Sequence, residues 1–65
     1  MDAKEIGARL SKLRGNRTQC EVAEAVGVSR SAICNYETGF RIPKDDVKMR
    51  LAKYYRSTVA KIFYS

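Results

Sequence analysis

Residues 19–36 read QCEVAEAVGVSRSAICNY, and the local chemistry of that stretch is explicit. Thr18 stands just before it as an N-cap residue with Glu21 three positions on, the pattern of a capping box, and Val22, Ala23 and Val26 then recur at helical spacing. Gly27 ends this first helix, because glycine enters the left-handed backbone region without steric cost and lets the chain reverse within a few residues. Val28 follows, Ser29 supplies a second N-cap, and Ile33 stands where it can staple back onto Val28. Ala23 lies one turn before Gly27 on the face that must meet the second helix, and so small a side chain permits close approach. Ile33 and Tyr36, three apart, face inward, whereas Arg30, Ser31, Cys34 and Asn35 fall on the other sides of the same helix.

Two short helices that cross at a tight turn, with the second projecting outward, make a helix-turn-helix, the unit that sets a recognition helix into the major groove of DNA. The plainer alternative is a helical hairpin in which Gly27 is only a C-cap and the outer residues are only solvated. Two caps, a glycine, a small crossing residue and six apolar positions agree on the more specific geometry.

On the N-terminal side, Asp2 with Glu5 forms another capping-box pattern, and Ile6, Leu10 and Leu13 give an apolar stripe, so a helix is predicted as far as Arg14, ended by Gly15 and Asn16. On the C-terminal side, Gly39 stops the second motif helix, and Phe40–Ile42 lead to Pro43 as the first residue of a fourth helix whose positive end suits Asp45 and Asp46. Val47, Leu51, Ala52 and Tyr55 are its buried side, with Lys48, Arg50 and Lys53 outward. After an interruption at Arg56 and Ser57, Thr58 caps a short fifth helix whose Val59, Ile62 and Phe63 close the core. The expectation is an all-α fold, five helices in one compact domain over residues 1–65.

Size and composition narrow the function. Sixty-five residues hold one small core, close to the lower limit for folding without disulfide or metal. No run approaches the about 18 apolar residues of a membrane span, and the opening MDAKEIGARL is unlike a signal peptide, so a cytoplasmic location is expected. Cys20 and Cys34 cannot build a four-ligand zinc site in a chain without histidine, and no metal or cofactor is expected. They read as reduced structural thiols, with redox sensing by Cys34 as the alternative. The absence of histidine, of a Ser/His/Asp set and of a phosphate-cradling loop argues against an enzyme. A core this small leaves little room for a small-molecule effector.

The net charge of +6 suits a polyanionic partner, yet the motif is neutral: Arg17, Arg30 and Arg41 balance Glu21, Glu24 and Glu37. Lys44 to Lys61 holds six basic residues against Asp45 and Asp46, so the excess sits largely in the C-terminal third. Those residues either attract DNA non-specifically or form the solvated faces of amphipathic helices.

With IGARLSKLR, TQxxVAxxVGVS, IxNYExG, RIP and LAKYY…TVAKIF in place, nearly the whole chain resembles the lambda-repressor-like, XRE- and Cro-type helix-turn-helix family. The resemblance implies a sequence-specific transcriptional regulator of double-stranded DNA, usually a repressor and commonly a homodimer on a near-palindromic operator, reading the major groove with the helix Ser29–Thr38. It carries base-reading roles to Arg30, Ser31 and Asn35 and phosphate contact to Gln19, with Thr18, Arg41 and Lys44 as phosphate neighbours. Arginine can donate twice to guanine, asparagine can pair both ways with adenine, and serine can do either weakly. For Arg30, phosphate contact or a purely solvated side chain are the alternatives to base contact. Arg14 matches the family's arginine that pairs with Glu37, an architectural ion pair.

Three departures stand out. The Arg14–Thr18 connection is about two residues shorter than is usual in the family, which bears on any phosphate role of Arg17; Cys34 occupies a position where relatives often carry a polar residue; and no dimerisation tail follows Phe63. Tyr54, Phe63 and Tyr64 are then candidates for a dimer surface, or else complete the core. The competing function is a protein-interaction module, of antitoxin or antirepressor type, that binds a regulatory protein through the same fold. A peripheral membrane role has only Lys48, Lys53 and Lys61 near tyrosines in its favour.

Overall fold

Caps begin four of the five helices in the computed structural model, which describes residues 2–64: α1 (Ala3–Arg14), α2 (Gln19–Val26), α3 (Arg30–Glu37), α4 (Asp45–Tyr54) and α5 (Val59–Phe63). No strand occurs among the described residues. Asp2 accepts from the N–H groups of Lys4 and Glu5 at 2.9 and 3.3 Å, Thr18 Oγ1 from Glu21 at 3.0 Å, Ser29 Oγ from Ala32 at 3.0 Å and Thr58 Oγ1 from Lys61 at 3.1 Å. Each bond satisfies a donor that a helix start leaves orphaned, a contribution of about 1 kcal/mol. α4 is the exception: Lys44 holds the N-cap position with no side-chain bond, and Pro43, expected to open the helix, lies one residue before that cap. Its ring is buried, so it packs rather than initiates.

Between α2 and α3 the chain turns at Gly27, whose φ is +83°, and the Val28 N–H closes the turn on the Ala23 carbonyl at 3.0 Å. Ala23 is 5% exposed at this crossing. Ile6 and Leu10 of α1, Val22 and Val26 of α2, Ile33 of α3, Leu51 of α4 and Ile62 and Phe63 of α5 meet in one core. Fully burying each large apolar side chain stabilises by roughly 1.5–3 kcal/mol.

α1 and α3 come closest at Gly7, a contact that no periodicity announces. A Cβ there would collide with the carbonyl oxygen of Glu37 and lie 2.7 Å from that of Tyr36, so only hydrogen lets α1 reach the α3 backbone.

Several expected orientations are corrected. Lys48 does not face outward: it is buried, its Nζ donates to the Tyr64 hydroxyl at 3.0 Å and lies 5.6 Å from the Phe63 ring centroid. Its aliphatic stem covers apolar surface while the ammonium meets aromatic rings and Asp45, 3.7 Å away. Phe63 is fully buried, as its place among the residues closing the core predicts, and of its two expected roles the dimer surface is the one that falls away. Tyr54 is half-buried against Tyr55, with ring centroids 5.1 Å apart, and Leu13 ends the α1 stripe largely at the surface. Arg50 is exposed as expected, yet its Nη1 donates to the Val26 carbonyl at 3.4 Å, and Arg9 Nη1 donates to the Ile62 carbonyl at 2.8 Å. Both guanidinium groups cap helix C-termini.

The break after α4 has a local cause. Arg56 sits at φ +54°, its N–H bonds the Lys53 carbonyl at 3.1 Å and the Ser57 N–H bonds the Ala52 carbonyl at 2.9 Å. That is a Schellman-type ending with arginine where glycine is usual.

Candidate nucleic-acid interface

The outer helix is pinned at both ends. At its start, the Ser29 cap and the Gly27 turn fix α3 to α2. At its end, the Glu37 carboxylate, only 6% exposed, accepts from Arg14 Nε at 2.7 Å and from Gln19 Nε2 at 3.2 Å, which ties α3 to α1 and α2 together. Arg14 also donates through Nη1 to the Arg17 carbonyl at 2.8 Å, fixing the short connection before α2. The hydrogen bond to Glu37 raises the pKa of Arg14, against the opposing effect of burial. Beside this pair, burial and then the charge of Glu37 push Tyr55 up to about 12.

At about 100° per residue, Arg30, Cys34, Thr38, Ser31 and Asn35 occupy one continuous arc of α3, opposite buried Ile33 and half-buried Tyr36. Arg30 and Ser31 are exposed, Cys34 and Asn35 half-buried. Among the described residues, the side chains of Arg30, Ser31 and Asn35 form no hydrogen bond or ion pair, so their donors and acceptors are unspent. Thr38 differs, turning its hydroxyl back onto the Cys34 carbonyl at 2.9 Å.

Cationic and amide groups flank the arc. Arg14, Gly15, Asn16, Arg17, Thr18, Gln19, Cys20 and Arg30 line an open hollow of about 450 Å³. The N–H groups of Gln19 and Cys20, at the positive end of α2, have no acceptor among the described residues, and amides so placed suit an anion. The hollow brings Thr18, Gln19 and Arg30 together. It does not include Arg41 or Lys44, which are exposed beyond the far end of α3, where the Arg41 N–H bonds the Asn35 carbonyl at 3.1 Å. Two of the side chains expected near phosphate are already engaged: Gln19 holds Glu37, and Thr18 caps α2. What they leave is the backbone amide pair.

Arg17 is occupied as well. Its guanidinium carbon lies 5.4 Å from the Tyr54 ring centroid and 5.7 Å from that of Tyr55, and its Nη1 donates to the Leu13 carbonyl at 3.1 Å. Sequence reasoning missed this clamp and the role of Gln19 on Glu37, because both join residues distant in the chain. The pairing of an early arginine with the YY dipeptide was the available signal. A model described as a helix-turn-helix domain matches residues 5–62. The chain belongs to the helix-turn-helix domain family.

Solved structures agree on the architecture of this helix-turn-helix chain. It superposes on the restriction-modification controller protein C.AhdI from Aeromonas hydrophila with a TM-score of 0.87 and 26% identity, covering 95% of this chain and 97% of that one. The clp gene regulator ClgR from Corynebacterium glutamicum matches in two structures at 23% identity, with TM-scores of 0.85 and 0.81, covering 95% of this chain and 68% or 83% of theirs. At that identity the likeness to ClgR speaks for the fold alone. No curated protein matches. Among the described residues, no group of three or more His, Cys, Asp or Glu side chains is placed to hold a metal ion, and no helix is long and apolar enough to cross a membrane.

Proposed function

We propose that this single 65-residue helix-turn-helix domain is a sequence-specific transcriptional regulator of double-stranded DNA, acting as a homodimeric repressor that reads the major groove with Ser29–Thr38. The observation that carries the reading is the unspent polar arc of α3, projecting from a helix whose two ends are locked by Ser29 and by the Arg14–Glu37–Gln19 cluster. Rigid presentation of donors and acceptors is what base recognition requires. The name of one structural neighbour, a restriction-modification controller protein, accords with it.

In this reading Asn35 pairs with adenine and Arg30 and Ser31 contact neighbouring base edges. The amides of Gln19 and Cys20 hold one phosphate beside Thr18, and Arg41 and Lys44 reach another past the far end of α3. Arg14 and Glu37 orient the helix and touch no base. Met49, 66% exposed, and Tyr64, 60% exposed, supply apolar surface for a second copy, in place of the buried Phe63. The test is selection of bound sites from random duplexes followed by gel shift. A near-palindrome with half-sites about 34 Å apart is expected for a two-fold dimer; retention of no sequence above background would refute the reading.

A further inference from the structure

Four residues join α1 to α2, and none is apolar: Gly15, at φ +57°, Asn16, Arg17 and Thr18 are all exposed, with no side chain to sink into the core. Polar contacts hold the stretch instead. The Arg17 N–H meets the Arg14 carbonyl at 3.1 Å, Arg14 Nη1 returns to the Arg17 carbonyl at 2.8 Å, and the Arg17 side chain reaches Leu13 and the end of α4. There Tyr54 and Tyr55, half-buried and packed against the core, stand edge to face at 64°, with the guanidinium carbon 5.4 and 5.7 Å from their ring centroids. A guanidinium stacks on rings while its edge stays in water, so it anchors an exposed connection without burying a charge. Two residues further on, the N–H groups of Gln19 and Cys20, without acceptors among the described residues, open into the hollow that residues 15–18 help to line.

We propose that Arg17 is a positioning residue for the duplex backbone: it touches no phosphate itself, and its clamp on Tyr54 and Tyr55 holds the connection so that the Gln19 and Cys20 amides stay open to one. This role rests on the duplex-binding function proposed above and deepens it, because it brings the rings at the end of α4 into phosphate contact without their meeting DNA. Were the connection free to wander over the start of α2, only a fraction of molecules would present the amides, and apparent affinity would fall by that fraction. The loss would be the same for every sequence. Base preference belongs to α3, which Ser29 and the Arg14–Glu37 pair hold independently of the rings.

The test measures affinity by fluorescence anisotropy, on a selected duplex and on an unrelated one, well below the melting temperature of each full-length variant. Arg17→Ala should weaken both duplexes about fivefold and Tyr54→Leu about threefold, since Tyr55 remains, while the double variant should do no worse than Arg17→Ala and Tyr54→Phe should bind as the parent does. The slope of log K against log salt should be the same in Arg17→Ala as in the parent, because no cation leaves a phosphate. Parental affinity in Arg17→Ala or in Tyr54→Leu, even with a lower melting temperature, would reduce the clamp to a stabilising contact and overturn the proposal. So would additive losses, or an Arg17→Ala slope flatter by about 0.9, which would make Arg17 a phosphate ligand. Arg17→Ala changes an exposed side chain, so its affinity and salt slope decide the matter should Tyr54→Leu fail to fold. A parent protein that binds no duplex would overturn the function together with this role, an outcome distinct from all of these.

Discussion

Glu37 holds two partners with one carboxylate, and both are needed where α1, α2 and α3 meet. Replacing it with glutamine keeps the volume but takes away the charge that Arg14 Nε meets at 2.7 Å, leaving a partly buried guanidinium uncompensated. The expected loss is about 2 kcal/mol, between the values for exposed and fully buried pairs, read as a lower midpoint in urea unfolding. Tyr55 packs beside this cluster and carries a pH signature. Its pKa is raised from 10.0 to about 12, so the folded state holds the proton more tightly than the unfolded chain does. The resulting stabilisation is complete below pH 10.0 and is lost as pH rises through about 12. Urea midpoints followed across that window should fall in the parent protein and fall less in Tyr55→Phe. The Arg14–Glu37 pair was expected from family resemblance, but Gln19 was assigned to phosphate and not to Glu37, since nothing in linear spacing tells that residues 18 apart share a carboxylate.

At the scale of elements, the helices that were legible in the sequence are those whose signals are local. Asp2, Thr18, Ser29 and Thr58 act on N–H groups two or three residues away, and the Gly27 turn closes on Ala23 nearby, so composition and spacing suffice. What escaped is tertiary in origin. Lys48 reads as an outward lysine on α4 until α5 supplies Phe63, with Tyr64 just beyond it, to cover its stem; Pro43 reads as a helix opener until its ring is buried; Arg56 takes a left-handed conformation that arginine does not advertise. Gly7 belongs to the same class. An ordinary residue in the middle of α1 by pattern, it is the point where α1 touches the α3 backbone. Gly7→Ala should therefore destabilise by about 1–3 kcal/mol despite the better helix propensity of alanine, since a backbone carbonyl cannot move aside as a side chain can. A thermal melt decides the matter: a raised Tm would show that the close approach is looser than described.

On the scale of the whole molecule, charge and shape divide the work. The α3 arc is almost neutral and carries donors and acceptors, while cations stand around it in Arg14, Arg41 and Lys44 and, further off, on α4 and α5. Affinity for duplex should accordingly fall with salt, with a slope of log K against log salt of about −0.9 for each phosphate neutralised. Lys44→Ala should flatten that slope by about one such contact and weaken all sequences alike, as fluorescence anisotropy at several salt concentrations would show. The candidate site was legible as a set of outward residues, because helical periodicity alone separates Arg30, Ser31 and Asn35 from Ile33. The hollow joining Arg30 to the α2 amides was not, because it depends on how the Arg14–Thr18 connection folds back over Tyr54 and Tyr55. The claim that α3 reads sequence rests most heavily on Asn35. Selecting duplexes with the parent protein and with Asn35→Ala, and comparing affinity and base preference on the parent's preferred site, tests it: a loss of about 1–3 kcal/mol and relaxed preference at one base pair are expected, whereas an Asn35→Ala protein with the parent's affinity and preference would rule out base reading by Asn35.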